Sequence, residues 1–318
     1  MKRTGIILAV IFIFSNTVFA EDMQIKWVDF NVNSKVLKEA SKIDIETAGT
    51  DEHKDWISII AVLACENGND FSGTDEESVD STAENYVSKL EKWGNKKIYN
   101  YYYNAFSAVL SGLLGKGTIY ENVDGDNIES EEFYGIRAFS PIASGYGYSH
   151  YDDFGASRDF GYKRKHLGHD IMCDVGTPIV AIEGGYVESC GWNTYGGWRI
   201  GIRSFDSKRY YYYAHLRKGH PYSDIYTGKT IAAGEIIGYA GMTGYSSRED
   251  TDNINVPHLH AGLELIFSPE QKDGYCQIWI DLYEITKFLE DYRVSAEYSK
   301  KYDEIVSRRI IISSDYHD

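Results

Sequence analysis

The periodicity of apolar residues changes once along this chain, and that change restricts the fold more than any other feature. Before about residue 116, apolar residues recur three and four positions apart, which is typical of helices. After about residue 135, glycine becomes frequent and apolar residues alternate with polar ones, as they do from Trp198 to Arg203. Such alternation predicts half-buried strands. We expect an α+β fold with a helical N-terminal region, an antiparallel β-sheet domain and a C-terminal helix.

Four helices are predicted in the N-terminal region, residues 21–116. Residues 35–48 form the first, and the strongly apolar run at residues 56–63 forms the second. A capping-box pattern at residues 81–84 predicts the start of a third. Apolar residues at helical spacing over residues 106–114 predict a fourth, which glycines then end. Because no chemical constellation lies on these helices, we expect them to position, inhibit or stabilise the rest of the chain without supplying catalytic groups.

Six acidic residues and no basic residue separate the helical region from the β-sheet region. Asp124-Gly125-Asp126 hints at a calcium loop, but the other ligands of an EF-hand are missing. We therefore expect residues 117–134 to be a solvated acidic linker, residues 135–290 to be the β-sheet domain and residues 291–318 to be a helical tail. A fragment that starts near Phe133 is then expected to fold by itself.

The first twenty residues have the features of a secretory signal peptide. Lys2 and Arg3 precede a ten-residue apolar run, and Val18-Phe19-Ala20 places small residues at the positions that a signal peptidase reads. The run is too short for a comfortable membrane span, so an uncleaved anchor is only a minor alternative. We expect an exported protein with no stable membrane span after signal removal.

Composition excludes one class of partner. The 318 residues include 48 acidic and 32 basic side chains, which gives a formal net charge of −16. No basic stripe is present to displace counterions from phosphates, so nucleic acid is not an expected partner. Export makes disulfides possible, but no spacing selects a pairing or excludes free thiols among the four cysteines, which are Cys65, Cys173, Cys190 and Cys276.

Seven of the nine histidines lie in the β-sheet region, and their spacing indicates a metal site. In an extended strand, His166 and Asp170 face the same way. His258 and His260 also share a face, and His215 ends a tyrosine-rich strand. A catalytic zinc ion takes three protein ligands and leaves one position open, while a general base lies nearby. The five residues provide enough groups for three ligands and two helpers.

The motifs around these residues resemble, in order, those of the lysostaphin-type, or LytM-type, peptidoglycan zinc metallopeptidases. The resemblance covers roughly residues 135–290. The segments that carry it include His166-Leu167-Gly168-His169-Asp170, Gly176-Thr177-Pro178, Tyr213-Ala214-His215-Leu216, Gly241-Met242-Thr243-Gly244 and His258-Leu259-His260. Several ordered motifs are far more specific than any one of them.

The resemblance implies one zinc ion (Zn2+) per chain, held by His166, Asp170 and His260, with His215 and His258 as the catalytic pair. It implies a secreted or cell-wall-associated endopeptidase in which a zinc-bound water attacks amide carbonyls of peptidoglycan peptides. The alternative is a catalytically silent wall-binding or hydrolase-activator module on the same fold. Such modules usually lack some ligands or catalytic histidines, whereas this chain has all five residues. The resemblance leaves the scissile bond open.

Other residues near the motifs have supporting roles in this interpretation. His169 is expected to point away from the site, and His150, which lies upstream of the first motif, is assigned no role. The family's further tyrosine or arginine, which precedes the first motif, has no firm match here. Three residues lie near that position: Arg158, Phe160 and Tyr162. The loop at residues 245–257 is longer than the resemblance leads us to expect and is predicted to form one wall of the groove.

Overall fold

The computed structural model describes four stretches of the chain, residues 25–122, 128–159, 163–273 and 275–314. The predicted signal peptide, residues 1–20, lies outside them. Helices occupy the first third of the chain and antiparallel strands most of the rest, which confirms the predicted α+β fold. Among the helices that the structure describes, none combines the length and the apolar character needed to cross a bilayer.

In the described part of the chain, five helices follow a short strand at Lys26–Val28, and two of them confirm the predicted helices at residues 35–48 and 56–63. They are α1 (Ser34–Thr47), α2 (Trp56–Asn67), α3 (Glu76–Glu84), α4 (Tyr86–Trp93) and α5 (Lys97–Leu110). Asn33, Asp55 and Asp75 cap the first three, since each side chain accepts a hydrogen bond from the backbone N–H three residues later. The first nine residues of α2 are buried, and this helix packs against α1 and α5.

Two helix boundaries differ from the prediction. The third helix begins before the predicted capping box at residues 81–84, because the Asp75 carboxylate accepts from both the backbone N–H and the hydroxyl of Ser78. The helix predicted over residues 106–114 is α5, which ends at Leu110, and Leu114 already lies in a strand. Leu114 still packs in the same core, which explains why the apolar spacing continues past the end of the helix.

The strands form one large sheet and four small ones. They are β1 (Lys26–Val28), β2 (Leu114–Asn122), β3 (Ile128–Ile136), β4 (Tyr148–Tyr151), β5 (Ser157–Arg158), β6 (Arg164–Lys165), β7 (His169–Cys173), β8 (Pro178–Val180), β9 (Gly185–Asn193), β10 (Gly197–Ser204), β11 (Arg209–Ala214), β12 (Thr230–Ile231), β13 (Ile236–Tyr239), β14 (His258–Leu265), β15 (Ile278–Ile280), β16 (Ala296–Ser299), β17 (Glu304–Ser307) and β18 (Arg309–Ser313). The large sheet has the order β1-β15-β14-β11-β10-β9-β12, and β7 pairs with β14 and with β4. Its pairings are antiparallel except that of β1 with β15.

The described parts of the predicted acidic linker, residues 117–122 and 128–134, lie instead in two paired antiparallel strands. β2 and β3 pair along their whole length, and β18 pairs with the other edge of β2. Ile119 and Phe133 pack against a small buried cluster, so the acidic side chains share these strands with apolar ones that face the core. The residues of the suggested calcium loop, Asp124 and Asp126, lie outside the described residues.

The C-terminal helix is confirmed as α6 (Tyr283–Phe288), which a short 3-10 turn at Leu289–Asp291 follows. The predicted helical tail, residues 291–318, is wrong in its described part, which forms β16, β17 and β18. β-Branched residues such as those at Ile310–Ile312 favour extended backbone. β18 thereby completes the three-stranded sheet that begins with β2 and β3.

One apolar core joins the helical region to the large sheet. Phe288 of α6 packs against Trp56 of α2, with ring centroids 6.2 Å apart. The same buried cluster contains Ile59 of α2 and Ile200 of β10. A fragment that starts at Phe133 would lack the helices, β2 and part of β3, and would expose one side of this core. The packing therefore argues against the expectation that such a fragment folds by itself.

A buried ion pair reinforces the junction between the two regions. The Arg209 guanidinium donates to the Glu183 carboxylate at 2.8 and 3.0 Å and to the Ser111 hydroxyl at 3.1 Å. The Tyr211 hydroxyl donates to the same carboxylate at 2.9 Å. Because Ser111 directly follows α5 and Arg209 begins β11, these bonds fix the end of the helical region to the large sheet.

Glu183→Gln is expected to destabilise the protein by roughly 3–5 kcal/mol, because it leaves the Arg209 charge buried without its main partner. Equilibrium denaturation of both proteins measures the difference. Glu121→Gln is the matched control, since the ion pair between Glu121 and Arg309 is exposed and its loss should change stability little. A loss below about 1 kcal/mol in Glu183→Gln would show that the buried pair behaves like a surface pair.

Candidate metal centre

Two neighbouring antiparallel strands bring the predicted site residues together. Between β7 and β14, Asp170 pairs with His260, and Met172 pairs with His258. Directly paired residues point to the same side of a sheet, and so do residues two apart in one strand. Asp170, His258 and His260 therefore share one face. His166, just before β7, reaches the same point.

Three side chains converge there on a space that suits a metal ion. His166 Nε2 lies 2.8 Å from His260 Nδ1 and 3.0 Å from Asp170 Oδ1, and His260 Nδ1 lies 3.0 Å from that oxygen. Tetrahedral ligands about 2.0–2.2 Å from zinc lie roughly 3.3 Å apart, so this triangle needs to open only slightly. Two imidazoles and one carboxylate are a donor set that zinc accepts. Within the described ranges, this is the group of His, Cys, Asp and Glu side chains that could hold a metal ion.

Asp153 and Arg158 support the ligand triangle from behind. The Asp153 carboxylate lies 3.0 Å from His166 Nδ1, so this nitrogen carries the proton and Nε2 is left for a metal. Arg158 forms ion pairs with both Asp153 and Asp170. Burial opposes the charged form of His166, but its contacts with the two carboxylates raise its pKa to about 9. Burial also opposes ionisation of Asp170, yet hydrogen bonds from His166 and His260 hold its pKa well below its usual range.

His215 and His258 flank the triangle without belonging to it. Their ring centroids lie 4.9 Å apart, and His258 Nε2 lies 3.7 Å from Asp170 Oδ1. Each ring donates its Nδ1 proton to a backbone carbonyl, that of Thr243 at 2.9 Å for His215 and that of Val256 at 2.8 Å for His258. These bonds fix the tautomer and leave both Nε2 atoms as acceptors. Burial lowers the pKa of His215 well below its usual value, which favours a neutral ring.

The histidines outside this group take other positions. His169 points to the opposite face of β7, as predicted, and its Nε2 lies 2.7 Å from His150 Nδ1. Burial lowers the pKa of His169 to about 3. His150 does not line the groove, because it pairs with Ile171 on the other face of the sheet and contacts Glu290 at 2.9 Å.

The ligand triangle opens into a groove of about 780 Å³ across the face of the large sheet. Tyr212 of β11 lies beside His260, with ring centroids 5.9 Å apart, and Trp279 of β15 lies 6.2 Å from Tyr212. Arg199 and Arg203 of β10 line the groove further from the triangle. The groove therefore has an aromatic part next to the candidate metal centre and a basic part beyond it.

The loop at residues 245–257 contributes less to the groove than predicted. Tyr245 lines the groove, with its ring centroid 5.9 Å from that of His215. Asp250 instead accepts hydrogen bonds from the Trp198 indole at 2.9 Å and from a backbone N–H at 2.8 Å, which draws the loop back onto the sheet. Within this loop, which the structure describes throughout, Tyr245 is the residue that lines the groove.

Sequence reasoning missed Asp153, because nothing in its spacing from His166 distinguishes it from an exposed loop acid. Of the three residues near the unmatched family position, Arg158 reaches the back of the ligand triangle. The other two, Phe160 and Tyr162, lie outside the described residues. The sequence showed only that Arg158 is a basic residue close to the first motif. Its ion pairs with Asp153 and Asp170 became apparent only in the fold.

Comparison with known proteins identifies the domain. Residues 164–271 match the family model of Peptidase family M23, so this segment is a peptidase family M23 domain and the resemblance is confirmed. The L-Ala–D-Glu endopeptidase of Bacillus subtilis (strain 168) is 40% identical over 132 residues, which are 41% of this chain and 38% of that protein. Lysostaphin of Staphylococcus simulans is 38% identical over 96 residues, 30% of this chain and 17% of that protein. The chain thus spans well under half the length of both relatives.

The likeness in fold extends beyond the M23 segment. A LytM crystal structure from Ruminococcus gnavus ATCC 29149 matches with a TM-score of 0.57 and covers 85% of this chain and 93% of that chain. At 22% sequence identity, this match concerns the fold alone. It includes helices as well as strands, since 85% of the chain exceeds the M23 segment by far.

Gly168→Ala is expected to displace the His260 ring and to lower metal affinity by roughly 10–100-fold. A β-carbon at position 168 would lie 2.6 Å from His260 Nε2 and 2.6 Å from the Ala261 carbonyl oxygen, too close for either. Calorimetric zinc titration measures the loss. Gly147→Ala is the matched control, because a β-carbon there meets nothing within 4 Å. Equal affinity in the two variants would show that Gly168 does not restrain the ring.

A pH-dependent effect on stability is expected from Glu264, which is 4% exposed in the groove. Burial raises its pKa from 4.5 to about 7 despite the nearby Arg203 charge. The folded protein thus favours the protonated Glu264 carboxyl. This preference stabilises the fold fully at pH values below the pKa of Glu264 in the unfolded chain. The stabilisation is lost as the pH rises through its pKa in the folded protein. Between pH 5 and 8, the wild-type protein should lose roughly 2–3 kcal/mol relative to Glu264→Gln. Denaturation at both pH values measures this difference, and identical pH responses would contradict the expectation.

Proposed function

We propose that this chain is a zinc-dependent endopeptidase that hydrolyses peptide bonds in bacterial peptidoglycan. The observation that carries the proposal is the convergence of His166, Asp170 and His260 in an M23 domain, with His215 and His258 beside them. An L-Ala–D-Glu endopeptidase and a glycyl-glycine endopeptidase are among its relatives, which supports this class of reaction.

The ligand triangle would hold one zinc ion per chain through His166 Nε2, His260 Nδ1 and one oxygen of Asp170. Bound there, zinc supplies a Lewis acid that polarises an amide carbonyl and lowers the pKa of water. Asp170 contributes a single negative charge, so the centre keeps a net positive charge. Asp153 holds the His166 ring in the orientation and tautomer that a ligand needs.

The two histidines beside the ligands supply acid–base chemistry. With Nδ1 held by a backbone carbonyl, each ring presents Nε2 to the groove, which suits removal of a proton from the attacking water and its transfer to the leaving amine. One ring performs this transfer, and the other donates a hydrogen bond to the developing oxyanion once its Nε2 has taken up a proton from solvent. Because backbone carbonyls hold both Nδ1 atoms, neither ring has to reorient during the reaction.

Export and domain roles belong to the same proposal. The sequence of residues 1–20 supports export, so the chain would act outside the cell or at the cell wall. Residues 135–290 would form the catalytic part. The helical region would stabilise that part rather than take part in catalysis, since its residues share the core and line no part of the described groove.

His260→Ala and Asp170→Ala are each expected to lose zinc and activity together, because each removes one of three ligands. His215→Ala should keep zinc but lose about 100-fold or more in kcat, since it removes a group that acts on the reacting atoms. Atomic absorption measures the metal, and release of new peptide termini from purified peptidoglycan measures activity.

His220→Ala is the matched control, because this histidine is exposed, contacts Glu304 and lies outside the groove. It should keep both zinc and activity. Stoichiometric zinc in both ligand variants would refute the metal site. Activity of His215→Ala within about threefold of the wild type would refute the role of that ring. A folded, zinc-loaded wild type that releases no peptide termini would favour the silent wall-binding module.

A further inference from the structure

The groove is basic, although the protein as a whole is acidic. The chain has a formal net charge of −16, yet five basic side chains and three acidic ones line the groove. The basic residues are Arg158, Arg164, Lys165, Arg199 and Arg203, and the acidic ones are Asp170, Glu188 and Glu264. This local excess of positive charge is suited to an anionic substrate group.

Most of these basic groups already have partners. Arg158 pairs with Asp153 and Asp170 behind the ligand triangle. Arg203 forms a two-point ion pair with Glu188, at 2.8 and 2.9 Å. Arg164 lies over the ring of one tyrosine at 4.7 Å and over a second at 5.2 Å, where the aromatic faces balance part of its charge.

Arg199 differs from these residues because a neutral group, the Ser189 hydroxyl, is its side-chain partner in the described structure. That hydroxyl accepts from Nη1 at 2.8 Å. The Nε–H is buried and has no hydrogen-bond partner among the described residues. A buried guanidinium N–H without an acceptor is costly, so a carboxylate that reaches this arginine would gain a strong charge-assisted bond.

The strand register places Arg199 at a defined distance from the candidate metal centre. Ile200 pairs with Tyr213, which sets Arg199 beside Ala214, and Ala214 pairs with His260. Arg199 is thus two strands from His260, about 10 Å at the usual strand spacing. The residue between them, Ala214, is small and fully buried, while His260 and Arg199 both line the groove. One or two residues of an extended peptide cover about 3–7 Å, so a side group next to the scissile amide can reach Arg199.

We propose that Arg199 binds the free carboxylate of a substrate residue next to the scissile amide, so that the substrates are acidic wall peptides. This inference rests on the proposed peptidase function. A glutamate residue forms its peptide bond through either its α- or its γ-carboxyl group and keeps the other carboxyl free. A planar guanidinium binds such a carboxylate at two points. A glycine bridge offers no such group. The relative named as an L-Ala–D-Glu endopeptidase has a glutamate at the bond in its name.

The kinetic test uses the zinc-loaded mature protein and two synthetic wall peptides that differ only in whether the D-glutamate carboxyl is free or amidated. The wild type should cleave the acid faster than the amide. Arg199→Gln should lower kcat/KM for the acid by roughly 10–100-fold, mainly through KM, and change that for the amide less than about twofold. Arg199→Lys should recover part of the loss, because it restores the charge without the planar fork.

Two variants and a binding measurement separate this inference from the proposed function. Arg308→Gln removes a surface arginine far from the groove and should match the wild type on both peptides. Calorimetric binding of the acid and the amide to the metal-free protein requires no cleavage. If the wild type cleaves neither peptide but binds the acid through Arg199, the proposed function fails and this inference stands. Equal losses on both peptides in Arg199→Gln, equal binding of acid and amide, or a selective loss in Arg164→Gln instead would overturn it.

Discussion

The pairing register of β7 with β14 is the constraint on which the site depends. Asp170 and His260 are direct partners, so a slip of one residue would turn them to opposite faces of the sheet. The residues that prevent this slip lie on the other face. Ile171, Leu259 and Ala261 are almost completely buried in the main core. Burial of apolar side chains on one face thus fixes the position of the polar ligands on the other.

Different hydrogen-bond partners distinguish His166 from His215 and His258. A carboxylate, that of Asp153, lies behind the ligand His166 and makes its ring a stronger donor to a metal. Backbone carbonyls lie behind His215 and His258. A carbonyl fixes the ring orientation and the tautomer without adding a negative charge, and it leaves the Nε2 atom of each ring free. The same residue type therefore serves two roles, and its neighbours decide which one.

The sequence predicted the residues of the site better than their surroundings, for a physical reason. The shared face of His258 and His260 is a local property, because both lie in β14 and strand geometry determines which side chains share a face. The contacts of Asp153 with His166 and of Arg199 with Ser189 depend on a loop conformation and on the register of β9 with β10, which no local pattern encodes. Charge was a misleading guide at residues 117–122 and 128–134, where the acidic residues lie in two paired strands whose Ile119 and Phe133 pack against a buried cluster. The tail was misread because short β-branched strands follow directly after a true helix.

The helical region supports the groove without entering it. The N-terminal region is joined to the groove through the large sheet. Strand β1 pairs with β15, and Trp27 is in register with the groove residue Trp279. Arg209, the first residue of β11, hydrogen-bonds Ser111 and so fixes this strand to the end of α5. The same strand carries Tyr212 in the groove floor and leads directly to His215. Loss of the helices would therefore loosen the strand that leads to His215, so the helical region contributes to the geometry of the candidate site although none of its residues lines the described groove.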